Sequence, residues 1–372
     1  MSKVLFGALL IVLAASPFEA GYPPLGRFLW ATYTNLEVLL FVLGGVYALT
    51  VIFNKEARGR LLRLPLLWPI IAFVAACAIS AVFAEYKSLG LQFTYRILMG
   101  VLVYAVAYEA LRGRRRLLAS LLVFVGAGLL SAMFGLLEFA PALNIEPLLH
   151  AFKPQPTTVG GMLRLSGTFE YANGAAMYFE MALPVLVSIA MLFSSRRLVA
   201  ELFGEGSITE KRRWVVASVL YLGIGIYMMA LILTFSRAAL GGVVVALGIF
   251  AIFALLRRAR STSRKSTENS QLTTRSSQPV TGVIWRSLII SSLAMVVGAA
   301  LVFVTQPMFR LRLLTQNDLD WYRATVTADP LPQLAARQVI TVPVQVRNDG
   351  RMVWPALGVL PIHVSYHWMS AT

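Results

Sequence analysis

Nine stretches of mostly apolar residues, separated by polar connectors, run along the first 305 positions, at 4–20, 36–53, 65–84, 94–111, 117–139, 173–193, 214–234, 238–256 and 287–305. A hydrocarbon layer about 30 Å thick is crossed by about 20 helical residues, so each stretch predicts a spanning helix. The pattern changes near Val339. There Ile340, Val342, Val344 and Val346 alternate with Thr341, Pro343, Gln345 and Arg347, the period of a strand with one buried face. Asn348-Asp349-Gly350 reads as a turn, and Ile362, Val364, Tyr366 and Trp368 alternate with His363, Ser365 and His367. The expected fold is an all-α polytopic membrane domain over 1–305, followed by a segment 306–372 that opens a partial β-sandwich from about 339. Two strands do not make a stable sheet alone, so the sandwich is expected to be completed by more chain beyond Thr372 or by another chain. We take the first as the expectation.

Composition agrees with the pattern. Hydrophobic residues make up 58% of the 372 and charged residues 13%, with mean hydropathy +0.72. Soluble domains carry roughly 25% charged residues, so a soluble globular reading and a disordered one are both excluded. The single cysteine, Cys77, lies in an apolar run and permits no intrachain disulfide.

The net charge of +16 matters through its distribution. Connectors 54–64, 112–116, 194–213 and 257–286, together with Lys3, hold 21 of the 33 Lys and Arg residues, and the other side holds 12, counting Arg96 near the start of the run 94–111. Positive charge collects on the cytoplasmic side. The expected topology therefore puts the amino terminus inside, and the loops 21–35, 85–93 and 140–172, the Ser236-Arg237 turn and the tail outside. Lys3 followed by Val4–Ala15 also has the form of a signal peptide. No small-x-small cleavage site follows, so it is read as a retained first helix. Segment 257–286, rich in Ser, Thr, Arg, Gln and Asn, is expected to be a flexible linker. It has no aromatic before Trp285, which argues against nucleic acid as its partner. Anionic lipid headgroups are partner enough for the basic connectors.

Candidate chemistry gathers on the outer side. Loop 140–172 carries His150, Lys153 and Arg164 and leads through Gly167, Thr168 and Asn173 into the sixth apolar run. The seventh and eighth runs meet at Leu233-Thr-Phe-Ser-Arg237 with almost no loop, which sets Arg237 at the membrane boundary, where it must snorkel or meet an anion. Arg310 and Arg312 follow the ninth run on the same side. Guanidinium forks match phosphate oxygens, and at a bilayer edge the available phosphate is a lipid headgroup or a lipid-linked diphosphate.

Arg164-x-x-Gly-Thr-Phe-x-x-x-Asn173, followed by an apolar helix and then Thr234-x-Ser-Arg-x-x-x-Gly241, resembles the O-antigen ligase and polymerase superfamily, over roughly residues 20–310. The resemblance implies a multi-pass protein of the bacterial inner membrane that moves a glycan from undecaprenyl diphosphate to a lipid or glycan acceptor on the periplasmic face. It implies that Arg164 and Arg237, with Lys153, Arg310 and Arg312 nearby in topology, hold the donor diphosphate. Gly167, Thr168 and Asn173 would shape the loop, and Gly241 would allow close helix packing. No metal or cofactor is implied, since arginines offset the charge on the leaving diphosphate and a base activates the acceptor hydroxyl. The family's histidine motif in a large outer loop has no match at His363 or His367. The tail, with Asn348-x-Gly350-x-x-x-Trp354, instead resembles the opening of an immunoglobulin-like insert.

The candidate bases within the chain are His150 and Glu180, with Glu138 a further carboxylate. Glu180 lies seven residues after Asn173 on the same helical face. A metal at His363 and His367 is excluded on a strand, because positions four apart are about 13 Å from each other. No nucleotide-binding glycine turn is present. Two other readings stay open. A transporter or flippase of lipid-linked or anionic solutes would show internal repeats and broken helices. A non-catalytic anchor for an envelope-binding β module would tolerate replacement of both arginines.

Overall fold

The computed structural model describes residues 2–20, 26–28, 31–153, 155–159, 162–204, 208–267, 280–306, 309–310, 323–328 and 341–350. Its helices are α1 (Ser2–Ala15), α2 (Asn35–Phe53), α3 (Lys55–Leu61), α4 (Leu67–Phe83), α5 (Lys87–Ala110), α6 (Arg114–Leu137), α7 (Glu146–Leu149), α8 (Ala172–Ser194), α9 (Arg196–Phe203), α10 (Glu210–Leu233), α11 (Arg237–Thr267) and α12 (Val280–Thr305). Each of the nine apolar runs coincides with a helix. Six of these, α2, α5, α6, α8, α10 and α12, are long and apolar enough to cross a membrane. Helices α1 and α4 and the apolar part of α11, Arg237–Phe253, are shorter than that. At 1.5 Å per residue the 14 residues of α1 reach only about 21 Å. The chain is an all-α membrane protein, and among the described residues helix length and composition support six spans where the hydropathy pattern predicts nine.

Contacts divide the chain into two units, residues 1–157 with 165–300, and residues 158–164 with 301–372. In the first, α8 is central, with 61% of its most apolar window buried against 17% for α2. It packs on α6, α10 and α11. Leu5, Leu9 and Val12 of α1 pack with Leu43 of α2 and with Val106 and Ala110 of α5. Such uneven burial is what a bilayer allows, since lipid covers an apolar face as well as protein does. At one end of this bundle, Glu109 takes a two-pronged contact from Arg60 (2.8 Å to each oxygen) and one from Arg112 at 2.7 Å. Arg213, also buried, donates to the carbonyls of Phe193 and Ser194 (3.3 and 2.7 Å), closing the carboxyl end of α8. Part of the basic charge of the connectors is thus spent inside the fold.

Three two-stranded antiparallel ladders complete the described structure: β1 (Gly26–Phe28) with β2 (Ala31–Tyr33), β3 (Thr158–Val159) with β4 (Met162–Leu163), and β5 (Ala324–Ala328) with β6 (Val344–Asn348).

Two expectations are corrected. Residues 257–267 continue α11, because extending an existing helix avoids the cost of nucleating one. Of the rest of the expected linker, 268–279 lies outside the described residues and 280–286 opens α12. In the tail, the strand expected over Ile340–Val346 begins at Val344, just after Pro343, which has no N–H to give to a ladder. It pairs with Ala324–Ala328, Val326 opposite Val346. Its apolar face is not buried, Val344 and Val326 being 45% and 55% exposed. Asp349 accepts from Arg347 (2.7 Å) and from Thr325, and these bonds hold its carboxyl below the ordinary value. Trp354 and the second expected strand, with His363 and His367, lie outside the described residues.

Candidate functional site

At the end of the bundle opposite Glu109, the segment Leu165–Thr168 is buried between helices despite its polarity: Leu165 and Ser166 have no exposed surface and Thr168 has 1%. Helix α6 makes room for it with small residues at Gly128, Ser131, Ala132 and Gly135, spaced i, i+3, i+4 and i+7 along one face. Leu165 lies over Gly135, where a Cβ would stand 2.6 Å from its side chain. Gly167 has φ +56° and would carry a Cβ 2.5 Å from the Ser131 carbonyl oxygen. Only glycine meets both conditions. The Thr168 hydroxyl donates to the carbonyl of Pro17 and, its one hydrogen being used, accepts from Ser131 Oγ at 2.6 Å. Gly167→Ala is expected to cost at least about 1–2 kcal/mol from the backbone conformation alone, with the carbonyl clash added. It should therefore lower the unfolding temperature in detergent, whereas Gly174→Ala, where a Cβ meets only Phe169 at 4.0 Å, should not.

Ser166 of the same segment accepts a hydrogen bond from one member of a buried ion pair. Lys153 Nζ donates to both oxygens of Glu138 (2.6 and 2.7 Å) and to Ser166 Oγ (2.7 Å), with the two side chains 3% and 8% exposed. Burial pushes the Glu138 carboxyl up and the Lys153 ammonium down, in each case against the attraction of the partner. Lys153, read from the sequence as a phosphate ligand, thus sits inside the protein with its charge matched by Glu138. A shallow cleft, with room for little more than a water molecule, opens over the pair, lined also by Glu146, His150 and Gln155. His150 is exposed on its rim.

A third feature is the turn between α10 and α11. Thr234 Oγ1 donates to the Leu231 carbonyl (2.6 Å) and accepts from the Ser236 N–H (3.3 Å). Phe235, 1% exposed, has φ +54°, a left-handed conformation rare for an aromatic residue. This tight reversal leaves Arg237 exposed as the first residue of α11, beside N–H groups that favour anions. The N–H of Leu165 donates to the carbonyl of Leu233 at 2.9 Å. The backbone after Arg164 and the backbone leading to Arg237 are therefore hydrogen-bonded neighbours, although 68 residues separate Leu165 from Leu233 in sequence.

Neither a known protein family, nor a curated protein, nor a solved structure matches this chain. The site therefore has to be read from its own residues. Arg164 is 8% exposed and follows β4. Arg310 is exposed in the second unit, and Arg312 lies outside the described residues. Asn173 is the second residue of α8, whose N-cap is Tyr171 rather than Asn173. The close helix approach expected at Gly241 occurs one position later. Gly241 faces open space, whereas a Cβ on Gly242 would stand 1.6 Å from Glu180 Oε1. Glu180 is thus packed against the second turn of α11. Among the described residues no group of three or more His, Cys, Asp or Glu is placed to hold a metal ion.

Sequence reading missed Ser131, Gly135, Ser166 and Gly242. The first two had a signal, the run of small residues on one face of α6, which also brings in two tyrosines. Tyr178 of α8 and Tyr227 of α10 donate to the carbonyls of Phe124 and Val125, each at 2.7 Å, and both rings lie over Gly128.

Proposed function

We propose that the chain transfers a glycan from a polyprenyl diphosphate to a hydroxyl acceptor at the periplasmic surface of the bacterial inner membrane, in the manner of the O-antigen ligase and polymerase superfamily. What supports this reading is the Leu165–Leu233 hydrogen bond, since it runs from the segment Arg164–Asn173 to the residue just before Thr234–Gly241, the two segments in which the resemblance resides. In the proposed reaction the acceptor oxygen attacks the anomeric carbon and the bond from that carbon to the diphosphate oxygen breaks. The polyprenyl diphosphate departs with its added charge held by Arg237, and the hydroxyl proton passes to a base. The bases on offer are His150, exposed at the cleft rim, and Glu180, packed on Gly242.

Reconstituted protein should bind undecaprenyl diphosphate, and Arg237→Ala should weaken that binding at least about tenfold, the worth of one charge-assisted hydrogen bond. Arg237→Lys, which keeps the charge without the fork, should fall between. Equal binding by all three proteins in a lipid-binding titration would remove the diphosphate site and leave the transporter and anchor readings.

A further inference from the structure

Between α6 and β3 the chain forms a short structured segment. Pro141–Leu143 forms a 3-10 turn, Asn144 reverses the chain at φ +41°, and α7 follows. The segment is firmly held from beneath. Leu149 is 2% exposed, the Phe152 ring stacks edge-on against Phe18 at 6.1 Å, and Lys153 is locked in its ion pair. Yet it displays Leu143 and Leu148, 55% and 53% exposed, which nothing else in the described chain covers.

The spanning helix that ends just before these leucines carries an exposed apolar stripe of its own. On α6, Leu130, Met133 and Leu137 (47%, 45% and 37% exposed) form one stripe running to the end of the helix, six residues before Leu143. A stripe of that kind on a spanning helix is covered by acyl chains. Tyr171, 65% exposed at the start of the neighbouring span α8, marks the same level with a side chain typical of the membrane boundary. Two polar residues of the segment, Glu146 and His150, line the cleft.

We propose that residues 141–150 form an interfacial element, with Leu143 and Leu148 inserted at the headgroup boundary of the bilayer and the Glu146–His150 cleft rim held at headgroup level. The occupant of the apolar face is lipid. The element sets the cleft where a lipid-borne phosphate or sugar lies, and it does so whether or not the protein is a transferase.

The test uses the full chain with Cys77→Ser, which removes the sole cysteine, reconstituted in phosphatidylethanolamine and phosphatidylglycerol vesicles. Single cysteines at positions 143, 148, 146 and 150 carry a nitroxide label, and its relaxation by oxygen and by a water-soluble nickel chelate is compared. Labels at 143 and 148 are expected to favour oxygen and those at 146 and 150 nickel. Nickel accessibility at 143 and 148 equal to that at 150 would place the leucines in water and overturn the proposal. Protection of 143 and 148 from both reagents would mean that protein covers them, and would overturn it equally. Leu143→Asn together with Leu148→Asn should raise nickel accessibility of a label at 150 in protein that elutes as the parent does. No change there would also count against the element.

Discussion

Lys153→Met is expected to destabilise the protein by ~3–5 kcal/mol near neutral pH, the usual cost of leaving one partner of a buried ion pair alone. The methionine fills much of the lysine's volume, so the loss comes from charge rather than from a cavity. Glu138, 8% exposed on its side chain, would have no counter-charge, and Ser166 would lose its donor. The effect has a definite pH sign. The Glu138 carboxyl is already raised from its ordinary value of 4.5 by burial, against the pull of Lys153. Without the lysine it rises further, so the folded variant binds a proton that its unfolded chain gives up above about pH 4.5. Stability attributable to that proton is full below the unfolded value and is lost as pH rises through the folded one. The variant's deficit should therefore shrink as pH falls towards 4.5. Unfolding in detergent micelles between pH 4.5 and 8 measures it, and a deficit independent of pH would mean that Glu138 finds another partner. Glu138→Gln in the same background should remove the pH dependence, because a neutral amide needs no counter-charge.

Gly128→Val is expected to prevent stable assembly of the central helices. A Cβ at this position would lie 2.2 Å from Cε1 of Tyr178 and 2.4 Å from the Tyr227 hydroxyl, both rings being among the buried residues of the bundle. Neither ring has an easy retreat. Each hydroxyl is hydrogen-bonded to an α6 carbonyl, and Tyr227 packs edge-on against Phe179 at 5.5 Å. Overpacking costs ~1–3 kcal/mol, and each buried hydrogen bond given up adds about 1 kcal/mol. The combined loss should show as a collapse of monodisperse protein in size-exclusion chromatography. Gly126→Val provides the control, since a Cβ there meets nothing within 4 Å. Equal behaviour of the two variants would show that α6 does not bear on the tyrosines as described.

Both sets of residues bear on how much of the site was legible beforehand. The loop residues Gly167 and Thr168 were picked out from the sequence, and the fold gives each a physical task, Gly167 a left-handed approach to a carbonyl and Thr168 a bridge from Pro17 to Ser131. Lys153 was picked out as well, but its partner was invisible, because Glu138 is 15 residues away and nothing in a linear pattern says which carboxylate a buried lysine will meet. Gly241 and Gly242 illustrate the limit of spacing arguments. Adjacent residues on a helix point about 100° apart, so an offset of one position turns a packed glycine into an open one.

The apolar runs by themselves determined where the helices lie, since a stretch without polar side chains in a bilayer can satisfy its backbone only as a helix. They also determined the tight turn before Arg237, because two apolar runs with three residues between them must reverse there. Only the tertiary structure decided that α11 continues to Thr267, that Val344–Asn348 pairs with Ala324–Ala328, and that Leu165 meets Leu233. Each of those depends on a partner distant in sequence or on the helix already formed before it, and local hydropathy carries no record of either.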